Sequence, residues 1–205
     1  MATVPEVREQ HPLRRYSNAA VAIHWITVVL VLTQVWLGFT FAEMPRGPEI
    51  MEYFCWHKTV GATILVLSLI RLAYRVANPP PPFPPELPRW EREIAVWNHR
   101  AFYFLLIALP LTGLIAVSGR ADNWLTPLIG NIPLPVVPGL SEQTGQMSGD
   151  LHVLLVWTTI ALLVLHVGAA LKQQFVDRPG RMSGRMPPFQ TRTHEPVVEG
   201  SGEQR

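Results

Sequence analysis

The sequence predicts an all-α integral membrane protein, a bundle of four spanning helices with both termini in the cytoplasm. Three observations carry this. Four blocks are nearly free of charge, while the charged residues and most of the 20 prolines lie between them. Each block is long enough to cross a bilayer as a helix, which takes about 20 residues. Six of the seven tryptophans (Trp25, Trp36, Trp56, Trp97, Trp124 and Trp157) fall in or near the ends of these blocks, where interfacial belts form. The single cysteine, Cys55, rules out a disulfide framework or a Cys-rich metal centre. A net charge of +2 lends nothing to a nucleic-acid partner, and the expected surroundings are membrane lipid.

The elements follow in order. Residues 1–17 form a polar segment with Arg8, Arg14 and Arg15. The first helix is expected over about residues 18–42, too long for a signal-peptide core and so an uncleaved span. A short loop leads to the second helix, about 53–77. The run from Asn78 to Pro85 cannot be helical and reads as an extended polyproline connector. The third helix is expected over about 99–118 and contains Pro110, which membrane helices tolerate. Residues 119–149 read as the longest loop, and its WLTPLIGNIPLP stretch suits the membrane interface. The fourth helix is expected over about 150–172. The four-helix domain thus spans 18–175. The tail, 176–205, is basic at first and polar and disordered at its end.

Orientation follows from the basic residues. They concentrate in the N-terminal segment, the second loop and the C-terminal tail, so these lie in the cytoplasm. The first and third loops then face outward.

The chemistry lies in the histidines. His152 and His166 are 14 residues apart in the fourth block. At about 100° per residue they share one face, and at about 1.5 Å per residue they stand roughly 21 Å apart. Helix direction puts His24 near the cytoplasmic side, with His166. His57 lies near the outer side, with His152. Two depth-matched pairs from different helices suit bis-imidazole ligation of two b-type haems stacked across the membrane, His24–His166 inside and His57–His152 outside.

The same spacing recurs elsewhere. Gly38 lies 14 residues after His24 and Gly113 14 after His99, so both fall at the outer level. There a small residue lets a macrocycle lie against the backbone. Arg71 lies 14 after His57 and faces the inner level, where it can pair with a haem propionate or an anionic quinone.

Other readings stand beside this one. A histidine in an apolar helix can simply hydrogen-bond a neighbour, although four unsatisfied imidazoles in lipid would be costly. A zinc transport site would gather three or four ligands at one place, often with carboxylates. Here the pairs are far apart, and the apolar blocks hold no Asp or Glu. His99 is a rival inner ligand, read as an interfacial or propionate-side group at the edge of the third helix. His11 and His194 read as solvated, and Cys55 as a packing residue.

The residues resemble a known family. Ala22-Ile23-His24-Trp25 opens the first helix, and His57-Lys58-Thr59-Val60-Gly61 precedes Arg71 in the second. Leu106 to Gly113 supplies a Pro–x–x–Gly in the third, and His152 and His166 complete the set. Over about residues 14–186 this resembles the bacterial cytochrome b561 family. The resemblance implies a four-helix inner-membrane protein with two non-covalent b haems on His24, His57, His152 and His166, exchanging electrons with ubiquinone or another quinone. A periplasmic or membrane redox partner is also implied, since the family includes the cytochrome subunits of hydrogenases. It also includes proteins that oxidise superoxide and reduce ubiquinone. Where the family commonly has two adjacent histidines after the last ligand, this chain has Gln173 and Gln174. They can hydrogen-bond a quinone carbonyl but supply no proton.

The expected function is therefore electron transfer across the membrane to or from quinone. Superoxide:ubiquinone oxidoreductase ranks second. Residues 43–58 and 119–150 carry Arg46, Lys58 and Arg120 against six acidic residues, which disfavours steering an anion to the outer face. A non-redox transporter or assembly protein is the third reading.

Overall fold

A computed structural model describes residues 16–80, 82–83, 87–120 and 125–176 of the chain. The expectations for His11, His194, Trp124, parts of the polyproline run, the basic residues before Tyr16 and the tail after Val176 lie outside these residues.

Four helices dominate the described chain: α1 Asn18–Glu43, α2 Pro48–Ala77, α3 Arg89–Ser118 and α4 Glu142–Phe175. All four are long and apolar enough to cross a membrane. Local chemistry sets their ends. Ser17 caps α1, its Oγ accepting from Ala20 N–H at 3.2 Å. The same hydroxyl lies 2.7 Å from Tyr74 Oη, which ties the start of α1 to the end of α2. Pro48 opens α2 with its φ already helical and no N–H to lose. Asn78-Pro79 ends that helix, because the residue before a proline is pushed out of the helical region. Ser141 caps α4, accepting from Thr144 N–H at 3.1 Å. Within α3, the Thr112 hydroxyl bonds the Ala108 and Leu109 carbonyls, each at 2.9 Å, in the turn that contains Pro110.

Three helices begin earlier than hydropathy suggests. α2 starts at Pro48 rather than about 53, α3 at Arg89 rather than about 99, and α4 at Glu142 rather than about 150. Apolar runs mark the part of a helix that lipid surrounds. The extra turns carry Glu49, Glu52, Glu91, Arg92, Glu93 and Glu142, which hydropathy assigns to loops. Pro48, Pro88 and Ser141 are the true start signals.

The third loop is shorter and more ordered than expected. Strands β1 (Leu125–Pro127) and β2 (Pro133–Pro135) pair antiparallel, with Thr126 opposite Leu134. A 3-10 turn at Ile129–Asn131 joins them through Gly130 and Asn131, at φ 70° and 58°. Such left-handed positions suit glycine and asparagine. The hairpin is tied to the helices. Lys58 Nζ donates to Thr126 Oγ1 at 2.7 Å, Ile129 N–H to Thr59 Oγ1 at 3.0 Å, and Val137 N–H to Ser118 Oγ at 3.0 Å.

The bundle packs α1 on α2, α2 on α3 and α3 on α4. Leu37, Val60, Ile64 and Leu106 form its small apolar core. Much of the apolar surface faces outward, with Val164 67% and Leu165 65% exposed, as lipid rather than water requires. Hydroxyls turn inward instead. Thr27, Thr112, Ser118 and Thr159 are buried, and each donates to a carbonyl four residues back. That bond satisfies the group where lipid offers no partner. The backbones come close where the end of α3 meets α4. A Cβ at Gly119 would stand 2.6 Å from Gly145 Cα, the small-residue contact that membrane helices use.

Candidate cofactor site in the bundle

Two cavities are stacked between the four helices, and every helix contributes to both. The first has a volume of about 310 Å³ and contains His57 and His152. The second, about 90 Å³, contains His24 and His166. Val31, Leu106 and Thr159 line both, so one layer of side chains separates them.

At the His57 level both imidazoles line the cavity, centroids 6.3 Å apart and planes at 73°. Two metal–nitrogen bonds of about 2.0 Å, each with about 1.1 Å more to a ring centroid, place imidazoles about 6.2 Å apart across a shared metal. The observed separation matches. His152 Nδ1–H donates to the Leu109 carbonyl at 2.9 Å, with Thr112 Oγ1 at 3.2 Å. That bond fixes the proton on Nδ1 and leaves Nε2 with its lone pair, the usual arrangement for a metal-bound imidazole. His57 has Gln34 on Nε2 at 3.0 Å, and its Nδ1 is buried without a partner. The remaining walls are mostly aliphatic and aromatic, and no charged side chain among the described residues lines the cavity. Phe39 and Trp157 meet edge to face at 5.6 Å and line it between α1 and α4. The residues fit a flat, largely apolar iron macrocycle held by two neutral histidines.

Gly38 and Gly113 belong to this level. A Cβ at Gly38 would stand 3.3 Å from His57 Cε1, and one at Gly113 3.3 Å from His152 Cε1. The sequence reading gave this room to a macrocycle. In the structure each glycine stands against the histidine of a neighbouring helix.

The His24 level is built differently. Arg71 donates to His24 Nδ1 at 3.0 Å, and its guanidinium lies 5.7 Å from the centre of the Tyr103 ring. A guanidinium cannot accept. His24 Nδ1 is therefore the acceptor, and the neutral ring carries its proton on Nε2. Offering Nε2 to a metal requires Arg71 to release this bond. Asn98 Nδ2 lies 3.5 Å from His166 Nδ1. Arg71, His99 and Tyr103 also line a third cavity of about 160 Å³, bordered by Ser17, Tyr74 and Arg75. These three side chains thus stand between two spaces, and among the described residues no carboxylate lines either one.

His99 departs from its sequence reading. It is not at a helix edge, because α3 begins ten residues earlier. It lines the His24 cavity and meets His166 edge on, centroids 5.6 Å apart. Its Nδ1–H donates to the Ala95 carbonyl at 2.6 Å. Among the described residues, no group of three or more His, Cys, Asp or Glu side chains is placed to share a metal ion.

Gln34 and Asn98 escaped the sequence reading as site residues. The signal was present, since Gln34 is an amide in the middle of an apolar span.

The comparisons agree with this architecture. Residues 15–185 match the family model described as prokaryotic cytochrome b561. Cytochrome b561 homolog 2 of Escherichia coli is 28% identical over 171 residues, covering 80% of this chain and 87% of the relative. The probable superoxide oxidase CybB of Yersinia pestis is 26% identical, covering 85% and 97%. Cytochrome b561 homolog 1 of E. coli is 25% identical, covering 85% and 98%. With four helices long and apolar enough to span a membrane, histidines lining the cavities between them and a match over most of its length, the chain belongs to the prokaryotic cytochrome b561 family of membrane electron-transfer proteins, which carry b-type haem.

Proposed function

We infer that this protein carries electrons across the inner membrane, to or from quinone, through two b haems. His57 and His152 would hold one, and His24 and His166 the other. The observation that carries the reading is the 6.3 Å separation of the His57 and His152 rings in a largely apolar cavity stacked on a second histidine cavity. When bound, haem supplies one-electron exchange between ferric and ferrous iron. The chain supplies the rest. The four helices hold both sites rigidly, and the single layer of Val31, Leu106 and Thr159 keeps them close. The apolar walls exclude water. Arg71, freed from His24, supplies a cation for haem carboxylates or a bound anionic quinone. Gln173, near the end of α4, can hydrogen-bond a quinone carbonyl but transfers no proton.

The basic segments place both termini in the cytoplasm and the β1–β2 hairpin outside. His57 and His152 then form the outer level, and His24 and His166 the inner.

A pyridine haemochrome assay on the purified protein tests the reading and should give two b haems per polypeptide. One haem or none would overturn it, and a colourless protein would favour a non-redox role. Superoxide oxidation is the second reading, favoured by the likeness to a probable superoxide oxidase. A redox-titrated visible spectrum separates the two. Reduction by quinol alone supports the electron carrier, and rapid reduction by superoxide supports the oxidase.

A further inference from the structure

A neutral imidazole offers a metal only its unprotonated nitrogen, so whatever bonds the other nitrogen decides whether the ring can be a ligand. At each level one histidine meets a part-buried carboxamide. Gln34 Nε2 lies 3.0 Å from His57 Nε2, and Asn98 Nδ2 lies 3.5 Å from His166 Nδ1. In both amides the carbonyl oxygen is buried with no hydrogen-bond partner among the described residues. A half-turn of a carboxamide exchanges its oxygen and nitrogen with almost no change of shape. It would set Gln34 Oε1 against His57 Nε2 and Asn98 Oδ1 against His166 Nδ1. Each oxygen would then accept the ring N–H, and the opposite nitrogen would keep its lone pair. For His57 that opposite nitrogen is Nδ1, itself buried and unpartnered.

The surroundings preserve the amide. A Cβ at Gly61 would stand 3.2 Å from Gln34 Nε2, so α2 leaves this space open for it. A leucine or methionine could fill the same volume without the cost of burying a polar group in lipid. The glutamine therefore needs a reason beyond packing, and the ring beside it supplies one.

We propose that Gln34 and Asn98 are positioning residues, one at each level, whose amide oxygens fix the protonated nitrogen of His57 and His166 and so present these rings as metal ligands. This rests on haem ligation by those histidines. An acceptor on the ring N–H makes the imidazole a stronger donor, which favours ferric iron and lowers the reduction potential. Removing the acceptor should raise it.

The test is a potentiometric titration of the haem-loaded protein, followed by visible and ferric EPR spectra. Gln34→Leu should raise the potential of the His57-level haem alone, and Asn98→Leu that of the His24-level haem alone. Gln34→Glu and Asn98→Asp keep an accepting oxygen and should not raise it. Ser68→Ala removes a buried, unpartnered hydroxyl that touches neither pair and should move neither potential. Unchanged potentials in the leucine variants, or equal rises in the acidic ones, would overturn the proposal. If a leucine variant does not accumulate, the acidic variants decide, since a rise there contradicts acceptance by oxygen. Fewer than two haems in the wild type would sink the functional reading. Two haems with unmoved variants would sink this inference alone.

Discussion

The two levels of the bundle hold the same kind of histidine pair in opposite electrostatic settings. At the His57 level the ring centroids lie 6.3 Å apart, no charged side chain among the described residues lines the cavity, and the polar partners are a carbonyl, a hydroxyl and an amide. At the His24 level a guanidinium bonds one ring, a third imidazole crowds the other, and the cavity is about 90 Å³ against about 310 Å³. The His57 level is shaped for an apolar macrocycle as it stands. The His24 level is shaped around a cation, and on the proposed reading it would hold a haem only if Arg71 turned from His24 to a haem carboxylate. The difference has a direction. A buried cation favours the reduced form of a neighbouring cofactor, so the His24-level haem should have the higher potential. Electrons would then run downhill from the His57 level to the His24 level.

The strongest way to break this comparison is to remove one ligand at a time. His152→Ala should abolish the low-spin haem at the His57 level, leaving one of two haems, while His24→Ala should do the reverse. Haem stoichiometry and low-temperature visible spectra read this directly. Loss of both haems from either variant would show that the levels are not independent. Next in size is Gly113→Leu. Its Cβ meets His152 Cε1 at 3.3 Å, and the rest of the side chain must displace the ring. Overpacking of this kind costs about 1–3 kcal/mol. The expected result is a high-spin or missing haem at the His57 level, with the other unchanged.

Arg71→Leu sharpens the electrostatic half. It should retain both haems and lower the potential of the His24-level haem. A unit charge about 8 Å away in an effective dielectric of about 20 contributes on the order of 2 kcal/mol, so the shift should be plain in a titration. A rise instead of a fall would mean that Arg71 acts mainly through its bond to His24.

The pattern of these effects mirrors what the sequence made legible. The four spans and their histidines were readable because lipid demands apolar runs and makes each polar exception conspicuous. The common level of His24 and His166 followed from helix direction, and both do line one cavity. Helix starts were not readable from hydropathy, because polar first turns such as Arg89 to Glu93 look like loop. The contacts of Gly38 with His57 and of Gly113 with His152 were not readable, because a periodicity places a residue at a depth but does not say which neighbour stands beside it. Contacts between elements, such as Gln34 with His57, depend on how the helices face each other, and one sequence does not encode that visibly. The docking of Thr126 on Lys58 escaped notice for the same reason.

The smallest expected effect belongs to His99, and it decides the pairing at the His24 level. His99 has one property of a ligand that His24 lacks here. Its Nδ1–H is bonded to the Ala95 carbonyl, which leaves Nε2 with a lone pair. Two observations oppose that role. Its ring meets His166 at 5.6 Å and 88°, closer than the roughly 6.2 Å that a shared metal requires. It also borders the cavity formed by Ser17, Tyr74 and Arg75, which places it on the side of His166 where the polar groups gather. His99→Ala should therefore leave two low-spin haems and alter at most the potential of the His24-level haem. His24→Ala in the same preparation should leave one. If the two variants instead exchange these spectra, α3 rather than α1 supplies the ligand opposite His166, and the Arg71–His24 bond is a structural contact rather than one that haem binding must break.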